Sequence, residues 1–348
     1  MILTFVLCSC RPIKKNWTAL IERVPTVGFA DNSSAYPLLF ISPDTGFVGS
    51  SIVRQRKFFS SILKTENGGY SWTPTATWLG TCVGLQYYQN TLYGVFNNQT
   101  DPPSSVIRKS DDLGTTWEDA FSFDGGTRSF HVFNYQTISY IKSSPNSPDC
   151  LMLSKDGGNH WHSISLPGKI SIADAVYTDG ALHLLLIDSN GETLFYSLEV
   201  YTGKSTIQPM PSVSFMTGSQ DIVATNLNGV RFYTLHNGTL SFLSRIRWGG
   251  LFSGSYNPRY ISKSQNIVFC LCSQYPGKPG EVQALLFSDD GGRHWEIVEK
   301  FAHGLNRGAF APEPICSYED DNSFRLYYIV QNGDEKVMNT IKVDKPFT

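Results

Sequence analysis

Four stretches of the chain share one pattern, (Ser/Thr)-x-(Asp/Asn)-x-Gly-x-x-Trp: Thr65–Trp72, Ser110–Trp117, Ser154–Trp161 and Ser288–Trp295. Repetition of this kind narrows the fold before any other feature does, because each repeat is one supersecondary unit that must stack on its neighbours. Each copy follows a short apolar run (Ser61–Lys64, Val106–Lys109, Cys150–Leu153, Ala284–Phe287) that reads as a strand. The repeated residue types then make a hairpin. Asn67, Asp112, Asp156 and Asp290 are placed to accept hydrogen bonds from backbone N–H groups a few residues on. The glycine supplies the positive φ of the reversal, and Trp72, Trp117, Trp161 and Trp295 open the next strand and pack back across the hairpin. The acidic side chains are therefore read as staples of turns, not as catalysts or metal ligands.

Spacing counts the repeats. Trp72, Trp117 and Trp161 recur at intervals of 45 and 44 residues, and Trp161 to Trp295 spans 134, three more such steps. Two degenerate repeats must fill that gap. Leu194–Val200 with Tyr201–Lys204 reads as one hairpin, and Val230–Leu235, the turn His236-Asn237-Gly238 and Thr239–Leu243 as the other. At the C-terminal end, Phe324–Val330, Asn332-Gly333-Asp334 and Val337–Val343 form a hairpin with no strand to follow. Asn16–Ile21 looks like the strand after a box, so the N-terminal strand is expected to pair onto the last blade, close the ring and remove its open edges. The predicted fold is all-β: one propeller of four-stranded antiparallel blades, seven in number, or six if the fifth repeat is no separate unit. Residues 1–15 are set apart as a leader and 16–348 as the propeller domain.

The repeated pattern resembles the Asp box, the BNR repeat of sialidases and other propellers. Ser110–Trp117 has its full form, Ser-x-Asp-x-Gly-x-Thr-Trp, while the first copy departs with Asn67. Leu39–Gly49 and Ile62–Gly69 also resemble the BNR-like repeats of the photosystem II assembly factor family and its relatives in non-photosynthetic bacteria, over about residues 36–76. That likeness implies a seven-bladed, non-catalytic propeller, whereas sialidases imply six blades and glycoside hydrolysis.

Composition excludes several classes. Charged residues are 17% and hydrophobic residues 41%, the balance of a chain that folds. A formal net charge of -2 gives no electrostatic case for nucleic acid or an anionic membrane, and Arg54-Gln55-Arg56-Lys57 reads as a solvated loop. Cys270 and Cys272 alternate onto one face of a strand and read as buried free thiols; without a second cysteine pair they make no zinc site, so no metal and no cofactor are expected. A disulfide from Cys82 to Cys150 or Cys316 stays open. Met1–Leu7 is apolar and runs into Leu7-Cys8-Ser9-Cys10, which resembles a bacterial lipoprotein signal with Cys10 as the lipidated residue; the alternative is an ordinary leader. No other segment approaches the ~18 apolar residues that span a bilayer. Export to the cell envelope or outside it is the expectation, as a monomer.

Ligand-binding residues are sought in the segments entering each blade around the channel. Arg128 with His131, Arg259 with Tyr260, and Arg307 lie in three such segments, entering blades three, six and seven. Guanidinium forks match the two oxygens of a carboxylate, as in the sialic acid clamp of sialidases. A sialidase also needs a tyrosine nucleophile with a glutamate partner and an acid. Tyr260, Tyr275 and Tyr318 are candidates for the first, and Glu281 and Glu313 for the second. The family's Arg-Ile-Pro or Arg-Leu-Pro signature is absent; Arg23-Val24-Pro25 comes nearest, placed where the closing strand leaves the last blade for the first. There is no HExxH, no phosphate-binding glycine loop and no Gly-x-Ser-x-Gly elbow. Two readings follow: an exported, non-catalytic propeller that binds a protein or carbohydrate partner through its channel face, or a divergent sialidase-like exo-glycosidase.

Overall fold

The computed structural model describes residues 21–25, 34–98, 103–144, 147–166, 170–178, 180–188, 190–210, 216–219, 222–226, 230–236, 238–246, 256–274, 282–302, 315–332 and 335–345. Their regular structure is entirely strand. β1 (Ile21–Pro25) stands apart from the first blade, which is built of β2 (Ser34–Phe40), β3 (Gly46–Arg54), β4 (Lys57–Thr65) and β5 (Thr73–Leu79). Blade two is β6 (Thr81–Tyr88), β7 (Thr91–Asn98), β8 (Ser104–Ser110) and β9 (Glu118–Asp124). Blade three follows as β10 (Gly126–Val132), β11 (Ile138–Ser144), β12 (Ser147–Ser154) and β13 (His162–Ile164). The fourth comprises β14 (Ile170–Thr178), β15 (Ala181–Asp188), β16 (Thr193–Glu199) and β17 (Ser205–Met210). The fifth comprises β18 (Met216–Ser219), β19 (Ile222–Asn226), β20 (Val230–His236) and β21 (Thr239–Ile246). In the sixth are β22 (Tyr256–Ser264), β23 (Ile267–Gln274), β24 (Val282–Ser288) and β25 (Glu296–Ala302). β26 (Ile315–Glu319), β27 (Ser323–Asn332) and β28 (Glu335–Asp344) make three strands of the seventh, and β1 supplies its fourth.

The chain is thus a seven-bladed propeller of antiparallel meanders, with the fifth repeat a complete blade. β1 pairs antiparallel with β28 from Ile21↔Ile341 to Pro25↔Val337. Closure by an N-terminal strand matches the sequence expectation, with the pairing at Ile21–Pro25; residues 16–20 fall outside the described ones.

Each of the four repeated turns is a small hydrogen-bonded ring. In the second, Ser110 Oγ donates to Asp112 Oδ1 (2.8 Å) and accepts from Gly114 N (2.7 Å), while Thr116 N and Thr116 Oγ1 donate to the two carboxylate oxygens (2.8 and 2.6 Å). Trp117 Nε1 closes the turn on Gly114 O at 3.0 Å. Gly114 has φ +87, so a left-handed residue is required where the hydroxyl collects the backbone N–H. Asp156 and Asp290 hold His160 and His294 in the same way, through backbone N (2.9 Å each) and ring Nδ1 (2.6 and 2.5 Å). Asn67 serves in the first turn, accepting from Ser71 N at 3.0 Å.

The box tryptophans also cross the blade boundary. Trp117 meets Trp78 of blade one edge-on at 5.4 Å, Trp161 meets Phe121 of blade two at 5.8 Å, and Trp295 stacks on Phe232 of blade five at 4.1 Å. Trp72 is 2% exposed in a cluster with Tyr327, Ile329 and Met338 of blade seven. The core is therefore a series of layers between neighbouring blades, and each box indole welds its blade to the preceding one. Cys82, Cys150, Cys270, Cys272 and Cys316 are free thiols, which settles the open disulfide question, and the Cys270 and Cys272 sulfurs lie 3.6 Å apart in the layer between blades five and six.

Candidate functional site

Strand direction sorts the loops onto two faces. The innermost strand of each blade starts at the face where the chain crosses from the preceding blade, and the box turns lie at the opposite face. Two crossovers are single glycines, Gly80 between β5 and β6 and Gly125 between β9 and β10. Gly80 N donates to Phe58 O (2.8 Å), and the buried Ser60 hydroxyl donates to Gly80 O (2.9 Å) while accepting from Cys82 N (2.8 Å). Ser105 repeats the arrangement at Gly125, donating to its carbonyl at 2.8 Å.

Just past these crossovers the innermost strands bulge. The register slips between Ala35 and Leu38, Cys82 and Gly84, Thr127 and Phe130, Ile172 and Asp174, and Pro258 and Tyr260. A bulge re-aims its extra residue out of the sheet's alternation. Val83, at one such position, is 37% exposed beside the buried Cys82. Arg128 and Arg259 occupy the bulges of blades three and six, so they lie within the innermost strands and not in the entering loops the sequence pointed to. Three blade steps in a seven-fold ring set them roughly 154° apart, nearly across the channel from each other. Arg307 falls outside the described residues.

Their neighbours on those strands, His131 and Tyr260, are half-buried in the blade wall. Burial lowers the pKa of His131 to about 4, so its ring is neutral at physiological pH, lying against Phe133. Burial likewise pushes the Tyr260 phenol well above its ordinary range, and its oxygen hydrogen-bonds to Ser317 and Ser262. Ser262 also reaches Ser317 directly at 2.6 Å, and Ser264 donates to Glu319 (2.5 Å), which pairs with Lys345 (2.6 Å). These groups stitch the innermost strands of blades six and seven. Gln86 does the same between blades two and three, accepting from Val132 N at 2.8 Å. Nothing in the sequence marks these side-chain stitches, because each joins residues at least 26 positions apart.

Arg23 is elsewhere. It sits within β1, paired with Asn339, and its Nη2 meets Glu299 Oε1 of β25 at 3.1 Å. As the outermost strand of its blade, β1 lies three strand spacings, about 14 Å, outside the innermost one. The sequence expectation that Arg23 sits at the junction into blade one is corrected: backbone pairing with β28 carries it to the ring's perimeter, beyond reach of Arg128 and Arg259.

The same place holds a tyrosine–glutamate pair that the sequence did not disclose. Tyr328 Oη donates to Glu299 Oε2 at 2.6 Å. Its composition is that of a sialidase nucleophile and base, but Tyr328 is 2% exposed, and burial followed by the Glu299 charge pushes its phenol far above the ordinary range. A nucleophile needs access and the opposite shift. On the other flank of β1, Tyr70 donates to Glu22 Oε1 at 2.9 Å. Glu22 and Arg23 thus clasp blade one and blade six from adjacent positions of the closing strand. Tyr318 packs half-buried against the layer containing Cys316, Tyr327 and Ile329; Tyr275, Glu281 and Glu313 fall outside the described residues.

Among the described residues, no three His, Cys, Asp or Glu side chains group so as to hold a metal ion, and no helix is long and apolar enough to cross a membrane.

No protein-family model and no curated protein matches the chain. Solved structures do. The β-propeller domain of Cps50 (Swd1) from Myceliophteria thermophila is similar over 90% of this chain and 99% of its own, with TM-score 0.59 at 10% identity. The β-propeller domain of the Trilobed protease from Pyrococcus furiosus, described as having an open velcro topology, covers 90% and 97% at TM-score 0.57 and 8% identity. A periplasmic gluconolactonase from Pseudomonas aeruginosa covers 89% and 96% at TM-score 0.56 and 12% identity. Such neighbours include binding propellers and enzymes, and at these identities they share architecture and no specified chemistry. What the chain is similar to throughout its length is the β-propeller fold.

Proposed function

We propose that this protein is an exported, non-catalytic Asp-box (BNR) propeller that binds a protein or carbohydrate partner through its channel face. The observation that carries the reading is the placement of Arg128 and Arg259 at corresponding bulges of the innermost strands of blades three and six, the strands nearest the channel. Arg307 enters the proposal as the third cation, from the segment leading into blade seven. Carboxylates on the partner are the natural match for paired guanidinium forks. The four self-closed turns, three with a serine and a carboxylate and the first with Thr65 and Asn67, each with its glycine and indole, support membership of the Asp-box group. A signal-like leader ending at Cys10 supports export and lipid anchoring. Against a glycosidase stand the buried, high-pKa Tyr328 and the perimeter position of Arg23.

The test is partner capture from an envelope extract by wild-type protein and by an Arg128→Ala, Arg259→Ala, Arg307→Ala variant. Loss of capture with unchanged melting supports the channel face, and unchanged capture rules it out. Turnover of a fluorogenic sialoside by the folded protein would defeat the non-catalytic reading.

A further inference from the structure

Three of the four repeated turns are stapled by aspartate, and the first by Asn67, which Gly68 follows directly. That dipeptide is chemically labile, because glycine has no side chain to shield its nitrogen. Gly68 N can attack Asn67 Cγ and expel Nδ2 as ammonia, the Gly68 proton passing to hydroxide and water protonating the leaving nitrogen. Water then opens the resulting succinimide at one carbonyl or the other, leaving aspartate or isoaspartate at 67. The balance is one water consumed and one ammonia released, with nothing oxidised or reduced.

The folded turn opposes this attack. Asn67 Oδ1 accepts from Thr65 Oγ1 (2.9 Å) and Ser71 N (3.0 Å), and Nδ2 donates to Ser71 Oγ at 2.9 Å. The nucleophile is also engaged, since Gly68 N donates to Asp44 O at 2.9 Å. Bringing Cγ onto Gly68 N breaks these bonds together, so the reaction draws on the open population of the turn. Asn67 is exposed, and hydroxide reaches it as soon as the turn opens.

The two products differ in fit. In the second turn Thr116 N and Oγ1 hold the two oxygens of Asp112, and Ser71 N and Oγ stand at the same positions of the first. An aspartate at 67 needs only the Ser71 hydroxyl to reverse from accepting to donating. Isoaspartate puts one more carbon into the backbone between Thr65 and Gly69, which must meet through Gly69 N and Thr65 Oγ1 at 2.9 Å, and shortens the carboxylate arm. This turn lies at the seam where the ring closes. Trp72 packs with Tyr327, Ile329 and Met338 of blade seven, and Tyr70 bonds Glu22 of β1 at 2.9 Å. There is no slack, for a Cβ on Gly69 would lie 3.1 Å from Met338 Cγ.

We propose that Asn67 is a spontaneous modification site governed by opening of the first box, at which deamidation to aspartate preserves the ring and isoaspartate loosens its closing seam. The inference is independent of what the channel face binds.

The test is incubation of the full chain at mildly alkaline pH, native and urea-unfolded, with peptide mass mapping. Mapping reads Asn67 apart from Asn237 and Asn332, which glycine also follows. Asn67 is expected to convert in the native protein at least about tenfold more slowly than in the unfolded one. Ser71→Ala removes one hydrogen bond from the folded turn, so native conversion should run about two- to tenfold faster and the unfolded rate should not change. Asn67→Gln, whose longer arm closes a six-membered ring far more slowly, should keep its amide in both. Asn67→Asp should melt no lower than wild type, and the fraction carrying isoaspartate, separated from aged protein, at least about 3 °C lower. No conversion at 67 in the native protein, equal native and unfolded rates, a native rate unmoved by Ser71→Ala, or an isoaspartate form that melts with wild type would each overturn the inference.

Discussion

Replacing Tyr328 with phenylalanine probes how the ring is held closed. β1 is five residues long, and its backbone ladder to β28 is reinforced on one flank by the chain Arg23–Glu299–Tyr328. The two contacts to Glu299 are unequal. Tyr328 is 2% exposed and donates at 2.6 Å to an ionised carboxylate, the situation in which one hydrogen bond contributes about 1.5–3 kcal/mol. Arg23 has a side chain 44% exposed and approaches at 3.1 Å, so solvent screening limits its contribution to about 0.2–1 kcal/mol. An unfolding entropy of about 2.1 cal/mol/K per residue, over 348 residues, converts 1 kcal/mol into roughly 1.4 °C of melting temperature. Tyr328→Phe is therefore expected to lower Tm by about 2–4 °C and Arg23→Ala by about 1 °C or less. A double-mutant cycle with Glu299→Gln, read by urea denaturation, should assign most of the coupling to the tyrosine. Arg23→Ala should also retain partner capture. The reasoning is refuted if Arg23→Ala costs as much stability as Tyr328→Phe, or if it abolishes capture without altering the melt.

Two further outcomes can be checked on the same samples. Gly80→Ala would force φ +115 on a residue with a side chain and bring its Cβ to 2.7 Å from Asn98 Oδ1 and 2.8 Å from Asn97 O. It is expected to cost about 2–4 kcal/mol, against about 1 kcal/mol for Gly203→Ala, whose φ is +74 but whose Cβ meets nothing within 4 Å; equal losses would remove the steric argument. Hydrogen bonds from Thr116 and Ser110 hold Asp112 at a pKa of about 2, and those from His160 and Ser154 do the same for Asp156, against an ordinary 3.8. Because the folded values are depressed, these carboxylates stabilise the fold above about pH 4, and that stabilisation is lost as pH falls through 2. Asn67 shows that an amide fits the turn, so Asp112→Asn with Asp156→Asn should flatten the fall in Tm over that window; a parallel profile would show that these carboxylates do not set it.

The legible part of this fold lies within reach of a single hairpin. The hydroxyl, the carboxylate (an amide in the first) and the glycine of each box bond to one another inside eight residues, so residue type and spacing suffice to specify the turn. Counting tryptophans at intervals of about 45 then requires blades even where the box has decayed, as at Leu194–Lys204 and Val230–Leu243. Closure by the N-terminal strand follows from a missing fourth strand and the cost of an open edge.

What the sequence determined by itself was therefore the repeat, its turn chemistry and a closed ring of seven blades or six. Tertiary structure decided the fifth repeat as a complete blade and with it the count of seven, the free cysteines, the bulges that hold Arg128 and Arg259 within the innermost strands, and the clasp that keeps Arg23 at the perimeter. The physical reason is range. A turn is closed by bonds four residues long, but Arg23 meets Glu299 across 276 positions, a separation that no local pattern encodes. Only the stacking of blade on blade, driven by indoles and aliphatic side chains that bury against whichever neighbour the ring supplies, brings such groups together.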